Sequence, residues 1–140
     1  MSKTEQFVAY ARELIGTPFH HQGRVPQVGI DCAGTVVIPA NRAGFKIEDQ
    51  SNYAHIPDGY FLEAVKKHCN LVEFKDLQLG DLVMFKFEKE AQHIGIVSSI
   101  EPLMMIHAWA QLNRKNSKVT ENSIDTYWLT KLSGCYRIKE

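Results

Sequence analysis

Cys32 follows a glycine- and proline-rich approach (Gly16, Pro18, Gly23, Pro26) and stands directly after Asp31, where Ala33-Gly34-Thr35 begins a helix. A thiol at a helix start meets backbone N–H groups without intrahelical partners and the positive end of the helix dipole, which together favour the thiolate. The expected property is a lowered pKa, and the expected chemistry is attack on a carbonyl carbon. Such a nucleophile needs a base to take the thiol proton and a third polar group to orient that base. Two of the six histidines are placed for these tasks. His93 opens the strand-like run His93-Ile94-Gly95-Ile96-Val97, and His107 closes the next one, Leu103-Met104-Met105-Ile106. A hairpin turning at Glu101-Pro102 sets the two imidazoles almost opposite each other, so that they can hydrogen-bond in sequence. Cys32 taken alone reads equally well as an inert core thiol, and each histidine alone reads more readily as a strand-end residue; the set of three favours catalysis. The same set is a poor metal site, since two histidines leave no clear third ligand except Cys32, and neither a metal nor a cofactor is expected.

The elements that must position these residues follow from local patterns. Ser2 and Glu5 have capping-box spacing, and Phe7, Val8, Ala11, Leu14 and Ile15 recur at helical intervals, which predicts a first helix up to Gly16. Residues 17–30 read as a long loop carrying the adjacent His20 and His21 with Arg24, a length that is often functional. Pro39 should kink the helix from Cys32, or break it and open a second short helix ending near Gly44. Asp58 is placed to cap a third helix with Phe61, Leu62, Ala64, Val65 and Cys69 on its apolar face. The second half is built of short apolar or β-branched runs at 82–87, 94–97, 103–106, 118–120 and 135–138, with a short helix at 124–132. Helices first and strands afterwards predict an α+β fold, N-terminal helices packed on a C-terminal antiparallel sheet, as one domain over residues 1–140.

Composition narrows the function classes. Lys+Arg and Asp+Glu both number 16, and zero net charge argues against a nucleic-acid or acidic-membrane partner. No apolar run reaches membrane-spanning length. Three widely spaced cysteines, an odd number without a CxxC pair, suggest neither a disulfide framework nor structural zinc, and leave at least one free thiol. The first residues lack the apolar core of a secretory signal peptide, so the chain is expected to be cytoplasmic when made and to reach any outside site by another carrier. His55 and His68 read as surface residues, Trp109 and Trp128 as packing, and Asp81 as a turn residue.

The blocks Gly16-Thr17-Pro18-Phe19, Gly29-Ile30-Asp31-Cys32-Ala33-Gly34, Leu79-Gly80-Asp81-Leu82-Val83, His93-Ile94-Gly95-Ile96-Val97 and Ile106-His107-Ala108 occur in order over nearly the whole chain. In this the chain resembles the NlpC-type cell-wall peptidases, papain-like cysteine endopeptidases that cut the stem peptides of bacterial peptidoglycan. The segment 18–24 is most similar to the branch found in phage tails and prophages, which implies phage tail proteins as further partners and a tail or secretion system as the carrier to the cell wall. The resemblance implies Cys32 as nucleophile, His93 as general base and acid, and His107 as its orienting residue. It further implies that Asp31 helps hold the free amino end of the stem peptide, with Phe19 and Ala33 beside the substrate, and that the bond after D-glutamate is cut; His20 and His21 either line the same cleft or form a solvated loop face. Two positions depart from the family pattern: Phe19 stands where many relatives have tyrosine, and Ala33 where many have serine. Both bear on substrate recognition. They leave open a tail-assembly module without activity, or acyl transfer or amide hydrolysis on another substrate with the same three residues.

Overall fold

Ser2 caps the first helix as its spacing requires: its Oγ accepts from the Glu5 amide at 3.0 Å, and its own N–H donates to Glu5 Oε1 at 3.1 Å. In the computed structural model, which describes residues 1–49, 60–87, 91–109 and 117–140, this helix is α1 (Lys3–Arg12), with Phe7, Val8 and Ala11 buried. It is shorter than its apolar pattern predicts. The chain turns before Gly16, whose φ of 96° suits glycine, and the turn keeps Leu14 buried while exposing Ile15.

Residues 17–30 are more ordered than a bare loop. β1 (Arg24–Val25) pairs antiparallel with β2 (Gly29–Ile30), and Phe19 bridges to Ile30. The Gly16 and Phe19 amides donate to Val119 O and Ser117 O, which ties the segment to the far edge of the main sheet. Strands of two residues carry no periodicity, so the sequence pattern does not show them.

α2 (Cys32–Arg42) runs through Pro39 as one helix, without a second helix opening there. Proline removes one donor from the ladder, but Val36 and Ala40 are buried on either side of it, and α2 packs on α1 and on the sheet. Tertiary burial outweighs the local penalty. Gly34 permits the close approach: a Cβ there would sit 2.8 Å from both Gly23 O and Ile30 Cγ1. α3 (Tyr60–His68) follows; Asp58, its expected cap, and His55 lie outside the described residues. Cys69, expected on the α3 apolar face, instead begins β3 (Cys69–Val72).

The main sheet is completed by β4 (Leu82–Lys86), β5 (Ala91–Ser99), β6 (Met104–Trp109), β7 (Lys118–Ser123) and β8 (Leu132–Ile138), with α4 (Thr126–Lys131) before the last strand. The strand order is β3-β8-β4-β5-β6-β7, and every neighbouring pair is antiparallel. The period of two divides the apolar residues between two cores. Leu82, Met84, Ile94, Ile96 and Ile106 join Phe7 and Val36 on the helical side, while Val83, Phe85, Val97 and Met105 join Ile124 and Trp128 on the other. Asp81 is more than a turn residue: it is buried, accepts from the Gln78 amide, and takes a two-point ion pair from Arg137 of β8 at 2.8 and 2.9 Å. The α+β layout is as expected. Among the described residues no helix is long and apolar enough to cross a membrane.

Candidate active site

Asp31 sets the entry to α2. Its Oδ1 accepts from the Gly34 amide at 2.9 Å as the N-cap, its Oδ2 accepts from the Gln22 amide at 2.9 Å, and Arg24 Nη1 ion-pairs with it at 2.9 Å. Gln22 holds a left-handed backbone, φ 60°, which aims its N–H at this carboxylate. Asp31 is only 2% exposed, and a buried carboxylate needs such a set of partners. Arg24 extends the set by bonding Asp49 through Nε.

This arrangement presents Cys32 as the first residue of α2, partly exposed, whereas Cys69 and Cys135 are buried. The backbone amides of Ile94, Ala33 and Cys32 favour its thiolate, as a helix start should. Burial against the core, followed by the Asp31 carboxylate, pulls harder in the other direction and pushes the thiol up to about 12. The expected lowering is therefore reversed, and the resting group is a neutral thiol. The adjacent acidic residue that marks the motif in sequence is one cause.

His93 and His107 meet as the hairpin requires. Continuing the Ile96↔Ile106 register places His107 level with Gly95, so His93 is its diagonal neighbour on the same face. His93 Nε2 lies 2.7 Å from His107 Nδ1. Trp109 and Trp128 wall the pair, with ring centroids 5.0 Å from His93 and 5.1 Å from His107 respectively. Both tryptophans thus pack, as expected, and what they pack against is the histidine pair. Desolvation holds His93 well below its usual pKa, helped by His107, and brings His107 down to about 4. Cys32 reaches this strand at the Ile94 amide, the residue next to His93. His93 itself shares the sheet face of Phe85 and Trp128, while Cys32 packs on the helical side, so the structure joins the two histidines to each other and brings the thiol to their strand at Ile94.

The other expected residues surround Cys32 unevenly. Phe19 packs partly buried against the helical-side core and bridges to Ile30. His20 is exposed and its Nδ1 contacts His21 O at 3.0 Å, and His21 is half-buried. Ala33 lines a cavity of about 60 Å³ between α2, α3 and the sheet, with Val36, Val37, Val65, Leu82 and Ile94. His68, read as a partnerless surface residue, is half-buried at the end of α3 and meets the Glu48 amide at 3.3 Å. Sequence reasoning missed Asn122, whose Oδ1 contacts His107 Nε2, and the ion-pair role of Arg24. Among the described residues no group of three or more His, Cys, Asp or Glu is arranged to hold a metal ion.

These shifts set a pH dependence of stability. An unfolded histidine takes its proton near pH 6.5, while folded His107 does so only near about 4, so the unfolded state binds more protons in between. Stability is fully present above pH 6.5 and falls as pH drops toward 4, by on the order of 3 kcal/mol for His107 alone. At the other end, unfolded thiols ionise near 9 while folded Cys32 and Cys69 hold their protons to about 12, so stability falls again as pH rises above 9. Urea midpoints measured from pH 4 to 10 should form a dome with its plateau between about 6.5 and 9. A midpoint that rises on acidification below 6.5 would contradict the buried neutral pair.

Helices packed on an antiparallel sheet, with a cysteine at a helix start against the strand that carries a histidine, make this the papain-like cysteine-peptidase fold. Residues 16–136 match the NlpC/P60 family, and the chain belongs to it. Among solved structures it is similar to a lipoprotein-like NLP/P60-family protein from Staphylococcus aureus, with a TM-score of 0.75 and 17% identity over 99% of this chain and 42% of that one. The chain thus spans about two fifths of that protein. It also resembles the NlpC/p60 domain of the peptidoglycan hydrolase SagA, with a TM-score of 0.67 and 19% identity over 96% of this chain and 98% of the other. A third neighbour is RipD from Mycobacterium tuberculosis, described as a non-catalytic NlpC/p60 protein adapted to peptidoglycan binding, with a TM-score of 0.67 and 15% identity over 99% and 98%. Comparison with curated proteins gives no match.

Proposed function

We propose that this protein is a cysteine peptidase that hydrolyses stem peptides of bacterial peptidoglycan, cutting the bond between D-glutamate and the following diamino acid. The observation that carries the reading is the buried His93–His107 hydrogen bond of 2.7 Å, on the strand whose Ile94 amide meets the Cys32 thiol. In the reaction, Cys32 Sγ bonds to the peptide carbonyl carbon as His93 takes the thiol proton, and the Cys32 backbone N–H supports the oxyanion. The C–N bond then breaks, and His93 passes the proton to the leaving amine. Water, deprotonated by His93, attacks the thioester and releases the acid and the free thiol. His107 holds His93 in place throughout.

Family membership and the kinship with SagA support the peptidoglycan substrate. The high thiol pKa and Phe19, which lacks a hydroxyl, favour a second reading in which the protein binds the wall without cutting it, as RipD is described to do. Defined muropeptides separate the two when incubated with the protein under reducing conditions and analysed by mass spectrometry. The proposal predicts a fragment gaining one water, with a new amino end on the diamino acid. An intact substrate overturns it in favour of binding alone, and a product carrying an added amine or alcohol overturns it in favour of acyl transfer.

A further inference from the structure

The hydrogen-bonded chain that begins at His93 continues past His107 into β7. There Asn122 Oδ1 meets His107 Nε2, and the amide is held in one orientation from both ends. Its Nδ2 donates to Ser123 O at 3.0 Å, and Thr120, the cross-strand partner of His107, donates its hydroxyl to the same Oδ1 at 3.2 Å. An amide oxygen can only accept, so the nitrogen that faces it must carry hydrogen. His107 is therefore the Nε2–H tautomer. Being neutral, it has a lone pair on Nδ1, which can only accept from His93 Nε2–H at 2.7 Å. That assignment leaves His93, also neutral, with an unprotonated Nδ1.

We propose that Asn122 is a positioning residue that sets the tautomers of both imidazoles, so that His93 presents Nδ1 as the free base. This rests on the catalytic reading given above for its consequence in the reaction, whereas the tautomer assignment stands on the hydrogen bonds together with the burial that keeps both rings neutral. In the opposite tautomer, His93 would carry its proton on Nδ1 and could not take another from a thiol by that atom. The effect of Asn122 passes through two rings.

The test is long-range ¹H–¹⁵N spectroscopy of histidine-labelled protein, beside turnover of a defined muropeptide. The wild type should show both His93 and His107 with hydrogen on Nε2 and none on Nδ1. Asn122→Leu removes the acceptor: His107 should lose its single tautomer, and kcat should fall between about 10- and 100-fold with KM little changed. Asn122→Asp, which still accepts from Nε2–H, should keep the wild-type tautomers and recover most of kcat. Wild-type rings with hydrogen on Nδ1 would overturn the proposal even if Asn122→Leu fails to fold, as would Asn122→Leu with unchanged tautomers and rate. If the wild type proves inactive while its spectra show the assigned tautomers, the peptidase reading fails and the positioning assignment remains.

Discussion

His93→Gln lowers kcat/KM on muropeptides by about 10³-fold or more while the protein stays folded. Glutamine can still donate toward His107 Nδ1, so the buried partner is not orphaned, but its amide has no lone pair basic enough to take a thiol proton. The loss is large because the thiol is neutral. A cysteine held at about 12 has almost no thiolate of its own at neutral pH, and in the proposed mechanism His93 is the group that takes the proton as the sulfur attacks. In the double variant with Cys32→Ala, activity should fall no further than with Cys32→Ala alone, since the two residues act as a unit. Additive losses would show that His93 acts elsewhere.

Asp31→Ala destabilises the fold by about 3–5 kcal/mol, read from urea unfolding. The substitution removes the α2 cap, takes the Asp31 acceptor from the Gln22 amide at a left-handed backbone, and takes the Asp31 carboxylate from a largely buried Arg24. Asp31→Asn separates this structural role from the substrate role that the family resemblance implies. It keeps an acceptor for the Gly34 amide and removes the charge next to the thiol. Cys32 should then ionise at lower pH, seen as faster alkylation at pH 8–9, because the carboxylate is one of the groups holding its pKa up. A raised KM at unchanged stability would instead assign Asp31 to the substrate alone.

Much of this site was legible from spacing. The Ser2/Glu5 box, the helix start at Cys32, and the hairpin that joins His93 to His107 are local or nearly local features, and local chemistry specifies them. What escaped depended on tertiary surroundings. Amides do favour the Cys32 thiolate, as a helix start requires, but burial and the Asp31 charge reverse the sign of the shift. Pro39 reads as a helix breaker until Val36 and Ala40 are seen packed around it. β1, β2 and β3 are only two to four residues long, too short for a periodic signal. Asn122 lies in the polar run Thr120-Glu121-Asn122-Ser123, where only its strand register, alternating with Glu121 and matched to Thr120, could have directed it toward His107.

The central claim is that Cys32 is the nucleophile of a wall-cutting enzyme. It is tested most directly by incubating purified sacculi, under reducing conditions, with the wild type and with Cys32→Ala side by side, and counting new amino termini. The mechanism predicts a steady release by the wild type and none above background by the variant, with circular dichroism showing both folded. Equal release by the two proteins, or none by either, would contradict it.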